Sequence, residues 1–291
     1  SEMCIRDRLR INRAATVCRW SPDGQKFAVG SGDRVIAVCY YEQENDWWVS
    51  KHLKKPIKST ITTIDWHPNG VLLASGSTDG HIRVFSGYIK GIDSKPEPSV
   101  WGSKLPFQTL CGDFTNETNA WVHSVKFSPN GNALAWVSHD SSIGVVYPQG
   151  EGLEPKSILN VKTNYLPFRS VVWSSDNSIV VGGFNCNLVV FKGDEQNWQE
   201  AYQIEEQKDL TKEPPKVNGD DDDEEISSHQ ALNMFKQMDL KGRAGKPSGG
   251  HGKAAKALTT IHQNTIVSIK NFANGQVSTS GIDGKVVVFN V

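Results

Sequence analysis

An all-β fold built from repeated four-stranded units is what this sequence predicts, and three observations carry that prediction. A four-residue turn cluster recurs at Ser21-Pro22-Asp23-Gly24, His67-Pro68-Asn69-Gly70, Ser128-Pro129-Asn130-Gly131 and Ser174-Ser175-Asp176-Asn177. Twelve residues beyond each start stands Asp33, Asp79, Asp140 and, in the fourth copy, Cys186. Between these anchors apolar residues recur at a spacing of two, which is the period of a strand. In the first three clusters Pro is second, Asn or Asp third and Gly fourth. That is the order of a type I turn, in which proline presets φ and glycine leaves without steric cost.

Taken in chain order, the units align without gaps. The first runs from Cys18 and Trp20 through its turn to Phe27 and Ala28, then past Asp33 to Ile36 and Val38. The second repeats it as Ile64, Trp66, Leu73, Ala74, Asp79, Ile82 and Val84, and the third as Val125, Phe127, Leu134, Ala135, Asp140, Ile143 and Val145. The fourth reads Val171, Trp173, Val180, Val181, Cys186, Val189 and Phe191. A fifth, one residue shorter, runs from Phe272-Ala273-Asn274-Gly275 to Asp283, Val286 and Val288. Each unit reads as strand, turn, strand, turn, strand, with a looser fourth strand such as Trp47 to Lys54 or Trp198 to Ile204. The aromatic residues before the turns are expected in the core.

Four strands in a unit of roughly 40–45 residues is the pattern of a WD40-type β-propeller blade. In such blades an Asp in the turn between the second and third strands bonds groups of its own blade, including a His ahead of the first strand. His262 with Asp283 fits that network best, and Asp33, Asp79 and Asp140 are expected in the same structural role. The Trp-Asp dipeptide itself is absent, so the aligned offsets carry the assignment.

Two stretches break the period. The second unit carries extra residues around Ser94 to Trp101, expected as a loop with Pro96 and Pro98. Residues 205–257 have no strand pattern and read as an insertion: an acidic run over Asp220 to Glu225, a short amphipathic helix over 228–240, and a Gly- and Lys-rich tail. Ser227 with Gln230 forms a capping box, and Gly242 supplies the stop. Ala231, Met234, Phe235 and Met238 share one helical face, with Leu232 at its border. An isolated helix this short is marginal in water, so a partner is expected to cover it. The expected layout is thus a leader over 1–8, four blades over 9–204, the insertion, and a last blade over 258–291.

Composition narrows the function classes. Lys+Arg 31 against Asp+Glu 32 gives a net charge of −1, without the basic excess of a nucleic-acid binder. No apolar run reaches membrane-spanning length, and the N-terminus lacks the core of a signal peptide. Five cysteines, never spaced C-x-x-C, read as reduced cytoplasmic thiols rather than a zinc site or a disulfide frame. Gly30-Ser31-Gly32-Asp33 lacks the last glycine and the helix of a dinucleotide loop. Ala254 replaces the Ser or Thr that a phosphate loop requires after Gly252-Lys253. The eight His include no H-x-x-x-H pair. No cofactor, metal or catalytic residue is expected.

Several runs are more specific than the repeat. Leu9 to Ala15, the stretch Phe27 to Ile57 with Tyr41-Glu42-Gln43-Glu44-Asn45-Asp46-Trp47-Trp48, Trp101 to Phe107, and Ala135 to Asp140 resemble the propeller subunit of the actin-related protein 2/3 complex. The insertion matches the position of that subunit's protruding helix. The resemblance implies a non-catalytic scaffold on the actin cytoskeleton. Its partners would be the other subunits, actin-related protein 2 and filament actin, with Ala231, Leu232, Phe235 and Met238 as the actin contacts. A generic WD40 adaptor, such as a ubiquitin-ligase substrate receptor, is the alternative. The family's ring has seven blades and this chain is expected to hold five. Leu9 to Asn12 reads as the outer strand of a preceding blade, Ser1 to Asp7 as an artefact of assembly or cloning, and the chain as an N-terminally truncated copy.

Overall fold

The period-two runs form strands because β-branched and aromatic residues suit a pleated, half-buried surface. The structure, a computed structural model, describes residues 11–103, 105–150, 153–205, 260–273 and 275–291. The 1–8 leader and the expected helix over 228–240, with Ala231, Leu232, Phe235 and Met238, lie outside the described residues. Ile11 and Asn12, the described part of the run read as a preceding strand, belong to no strand.

The described chain is all-β and forms a propeller of five antiparallel blades. Blade 1 comprises β1 (Ala15–Trp20), β2 (Lys26–Ser31), β3 (Ile36–Glu42) and β4 (Trp47–Leu53). Blade 2 comprises β5 (Ile61–Trp66), β6 (Leu72–Ser77), β7 (His81–Ser86) and β8 (Leu110–Thr115). Blade 3 comprises β9 (Val122–Phe127), β10 (Leu134–Ser138), β11 (Ser142–Tyr147) and β12 (Ser157–Lys162). Blade 4 comprises β13 (Phe168–Ser175), β14 (Ser178–Gly183), β15 (Leu188–Gly193) and β16 (Trp198–Gln203). Blade 5 has three described strands, β17 (Ile266–Ala273), β18 (Gln276–Gly281) and β19 (Val286–Asn290).

The first strands of successive blades, β1, β5, β9, β13 and β17, pack side by side along the inside of an arc. Between neighbouring blades lie four apolar cores. In the first, Ile36 and Val38 of blade 1 meet Ile64, Trp66 and Phe85 of blade 2. The others repeat the scheme between blades 2 and 3, 3 and 4, and 4 and 5. Trp66 and Trp173 are buried as expected, and each indole N–H donates to the carbonyl of the preceding blade's inner strand, Arg19 O at 3.0 Å and Lys126 O at 2.9 Å. Trp20 departs from the expectation. It is 57% exposed, because no described blade lies on that side of β1. At the other end of the arc, Val286 and Val288 hold the positions of Ile36 and Val38 yet face outward, Val286 at 76% exposure.

The fourth copy corrects the gapless alignment. There β13 continues to Ser175, which pairs with Ser178, so Asp176 and Asn177 alone make the turn. Between the paired residues Trp173 and Ile179 the connection is one residue shorter than between Trp20 and Phe27. Val180 therefore takes the place of Ala28. A slip of one residue exchanges the two faces of a strand. Leu188 and Val190, not Val189 and Phe191, consequently face the next blade. Asn185, not Cys186, occupies the aspartate position. Cys186, at φ 60°, matches Arg34 at 60° and Ser141 at 64°.

The expected loop over Ser94 to Trp101 is exposed or half-buried up to Val100, but Trp101 and residues on either side of the loop, within 87–109, enter the core. Trp101 is fully buried between blades 2 and 3, its indole N–H donating to Gly131 O at 2.7 Å. Ile89 packs into the core between blades 1 and 2. A buried ion pair clamps the segment: Lys26 Nζ of β2 lies 2.6 Å from Asp93 Oδ2 and donates to Gly87 O at 3.1 Å. Asp93 Oδ2 also accepts the amide of Ile89 at 2.6 Å.

Candidate functional site

The turn aspartates share a place but not a set of partners. In blade 5, His262 Nδ1 lies 3.2 and 3.1 Å from the two Asp283 oxygens, and its Nε2 lies 2.7 Å from Thr279 Oγ1. Burial alone would raise the Asp283 carboxyl. The amides of Gln263 and Lys285 and the His262 ring outweigh it and hold the group below the usual carboxylate range. The structure thus brings His262, Thr279 and Asp283 into one buried network.

The other blades build the turn differently. In blade 2 the cation comes from the third strand: Arg83, almost wholly buried, donates to Asp79 Oδ2 at 3.2 Å and to Asp113 Oδ2 at 3.3 Å. Ser77 Oγ and the amide of His81 also donate to Asp79. Asp140 accepts from Ser142 Oγ at 2.6 Å and Thr118 Oγ1 at 2.5 Å, and Asp33 accepts the amide of Asn12 at 3.1 Å. Sequence reasoning missed Arg83. Its signal is a lone cation inside the apolar strand Ile82-Arg83-Val84-Phe85, in register with Asp113 of β8.

The second constellation lies where the inner strands converge. Near its start each inner strand has a residue inserted opposite its partner: Thr16, Thr62, His123, Arg169 and Val267. Such bulges bend a strand and re-aim a side chain. Here they direct bonds to the next blade, since Thr16 Oγ1 donates to Ile61 O and Thr62 Oγ1 to Val122 O, both at 2.5 Å. Beyond the bulges run two rings with one residue per blade. One holds Val17, Thr63, Ser124, Ser170 and Ser268, and the other Arg19, Asp65, Lys126, Val172 and Lys270. Together with neighbouring residues, most of these positions line a cavity of about 510 Å³ on the axis of the arc.

Members of these rings cap amides on the inner-strand edges of β9 and β17 that would otherwise lack a partner. Thr63 Oγ1 accepts the amide of Val125 at 3.4 Å, Asp65 Oδ2 that of Phe127 at 3.0 Å, and Ser170 Oγ that of Ile269 at 3.0 Å. Asp65 also pairs with Lys126. Burial raises the Asp65 carboxyl in spite of that pair and the Phe127 amide. At the bulge level His123 Nε2 lies 2.9 Å from His139 Nδ1, with the Trp121 ring tilted beside His139 at 6.2 Å and 57% exposed. Burial first, then Arg169 and His139, push His123 down to about 4. Among the described residues no group of three or more His, Cys, Asp or Glu could hold a metal ion. Asp65, the one carboxylate lining the cavity, is committed to an ammonium and an amide, so the arrangement can hold blades together and present cations.

Comparison with known proteins follows the fold. The family profile described as WD domain, G-beta repeat matches residues 12–38 and 49–86. The chain is 43% identical to actin-related protein 2/3 complex subunit 1 of Schizosaccharomyces pombe, over 97% of this chain and 74% of that protein. It is 42% identical to the Saccharomyces cerevisiae protein of the same name, over 97% and 73%. It is also 42% identical to subunit 1A-B of Xenopus laevis, over 97% and 71%.

Proposed function

Because the chain belongs to the family of actin-related protein 2/3 complex subunit 1, we propose that it is a non-catalytic scaffold of such a complex, supporting actin nucleation and branched filament growth. One observation supports this reading above the rest: 43% identity over 97% of the chain. The buried charges described above are spent on contacts within and between blades, which suits a scaffold. The partners are the other subunits and actin-related protein 2, and the place of action is the cytoplasmic actin cytoskeleton. The insertion supplies a helix over 228–240 whose apolar side, with Ala231, Leu232, Phe235 and Met238, docks on filament actin, as amphipathic helices dock in grooves.

Affinity purification of the tagged chain from cells depleted of their own subunit 1 tests the scaffold role. Co-purification with actin-related proteins and restored actin assembly are expected. A chain recovered without them would overturn the role. The helix is tested separately by Leu232→Ala/Phe235→Ala/Met238→Ala. Complex assembly should persist while branch formation falls several-fold, since truncating such anchors costs about 1–4 kcal/mol of binding. Normal branching by the intact mutant complex would remove the helix from the mechanism.

A further inference from the structure

We propose that the axial cavity binds a phosphate-type dianion. Three cations line it, Arg19, Lys126 and Lys270, against one carboxylate, Asp65. Asp65 is already paired with Lys126 and holds the amide of Phe127. Arg19 makes one described hydrogen bond, from Nη1 to its neighbour's carbonyl, Cys18 O at 2.9 Å. Lys270 has no ion-pair partner among the described residues. The cavity thus carries a surplus of two positive charges in a chain whose net charge is −1, so the surplus is local.

The hydroxyls point to the same ligand class. Thr63 and Ser170 spend a lone pair on the amides of Val125 and Ile269, which leaves their O–H bonds to donate. Donors and cations around one space, with the acceptor already spoken for, favour an anion rich in acceptor oxygens. A surplus of two matches one phosphate or phosphomonoester dianion, and falls far short of what a nucleic-acid backbone requires. The free anion and a membrane-borne phosphate headgroup share this chemistry.

The test uses the whole chain and titrates inorganic phosphate calorimetrically at constant ionic strength. Saturable one-to-one binding with Kd at or below about 1 mM is expected. Arg19→Gln and Lys270→Gln, both at exposed side chains, should each weaken it about fivefold or more, with unchanged tryptophan near-ultraviolet dichroism. Lys192→Gln, on the outer part of blade 4, should not. Vesicles of phosphatidylcholine with phosphatidylinositol 4-phosphate separate the sources. Sedimentation with them that inorganic phosphate reverses identifies the headgroup, and binding in solution without sedimentation identifies the free anion. Absence of saturable binding, or equal binding by the Arg19→Gln/Lys270→Gln protein, would overturn the proposal.

Discussion

Removing Asp93 should cost this fold more than any surface ion pair could. The Lys26 side chain is 0% exposed, and its ammonium has two described partners, Asp93 Oδ2 at 2.6 Å and Gly87 O at 3.1 Å, above the Trp66 ring at 5.1 Å. Asp93→Asn leaves that charge buried with one carbonyl, and breaking a buried pair from one side costs about 3–5 kcal/mol. Lys26→Met/Asp93→Asn removes both charges, keeps the length of each side chain, and lets Asn accept from Ile89 in place of the carboxylate. The double variant should lie within about 1 kcal/mol of the parent, recovering about 3 kcal/mol of what the single variant loses. A pH signature accompanies it. Burial lowers the folded pKa of Lys26 from 10.5, against the raising influence of Asp93. In Asp93→Asn that influence is gone and the folded value drops further. Between that value and 10.5 the unfolded chain holds a proton that the folded chain gives up, so stability rises with pH through this window. The deficit of Asp93→Asn should therefore shrink from pH 7 toward pH 10. Urea unfolding followed by tryptophan fluorescence measures all three proteins. A single variant within about 1 kcal/mol of the parent, or a deficit that does not change with pH, would refute the reasoning.

Other perturbations follow from the same geometry. Gly144 pairs with Trp136 across β10 and β11, and a Cβ there would fall inside the buried indole ring, so Gly144→Ala should destabilise by about 3 kcal/mol in thermal or urea unfolding. His123, held at about 4 in the fold against 6.5, refuses a proton that the unfolded chain binds; stability should fall as pH drops from 6.5 to 4, and His123→Gln should flatten that slope in urea midpoints. Asp79 is held below 3.8 because its bonds from Ser77, Arg83 and His81 outweigh the opposing effect of burial. Asp79→Ala should cost about 1–3 kcal/mol at pH 7, and the difference should close as acid protonates the carboxylate of the parent.

Much of this architecture was legible in the sequence because turns and strand period repeat together. Three Pro-Asn/Asp-Gly clusters marked the first hairpins of blades 1 to 3, and their strands fall within a residue or two of the expected runs. The fourth unit misled for a physical reason. Ile179-Val180-Val181 is apolar on both faces, so its alternation has no phase, and a connection shortened by one residue leaves no trace in it. The Ser94 to Trp101 loop misled only at its end, since its prolines mark a loop but do not say whether the tryptophan that closes it is buried. The Asp79–Arg83 and Lys26–Asp93 pairs were invisible because charges read as solvent-facing until their register is known. The inner-strand bulges were equally hidden, since an inserted residue becomes evident only against its partner strand. His262 with Asp283 was legible because both partners lie close to one short hairpin.

Among the described residues four seams in series join the five blades, and blade 5 meets the others through one of them, where Ile266, Ile269, Val277 and Phe289 pack on blade 4. Repeat arrays of this kind store their stability in nearest-neighbour interfaces rather than in one shared centre. Opening blade 5 or blade 1 breaks a single described seam, that of blade 5 being the smaller, whereas opening blade 3 breaks two. The amides of β17 to β19 should exchange with solvent first, and the protected front should retreat blade by blade toward β9 and β10. On a slow thermal ramp the array of described blades would open from blade 5 instead of melting everywhere at once.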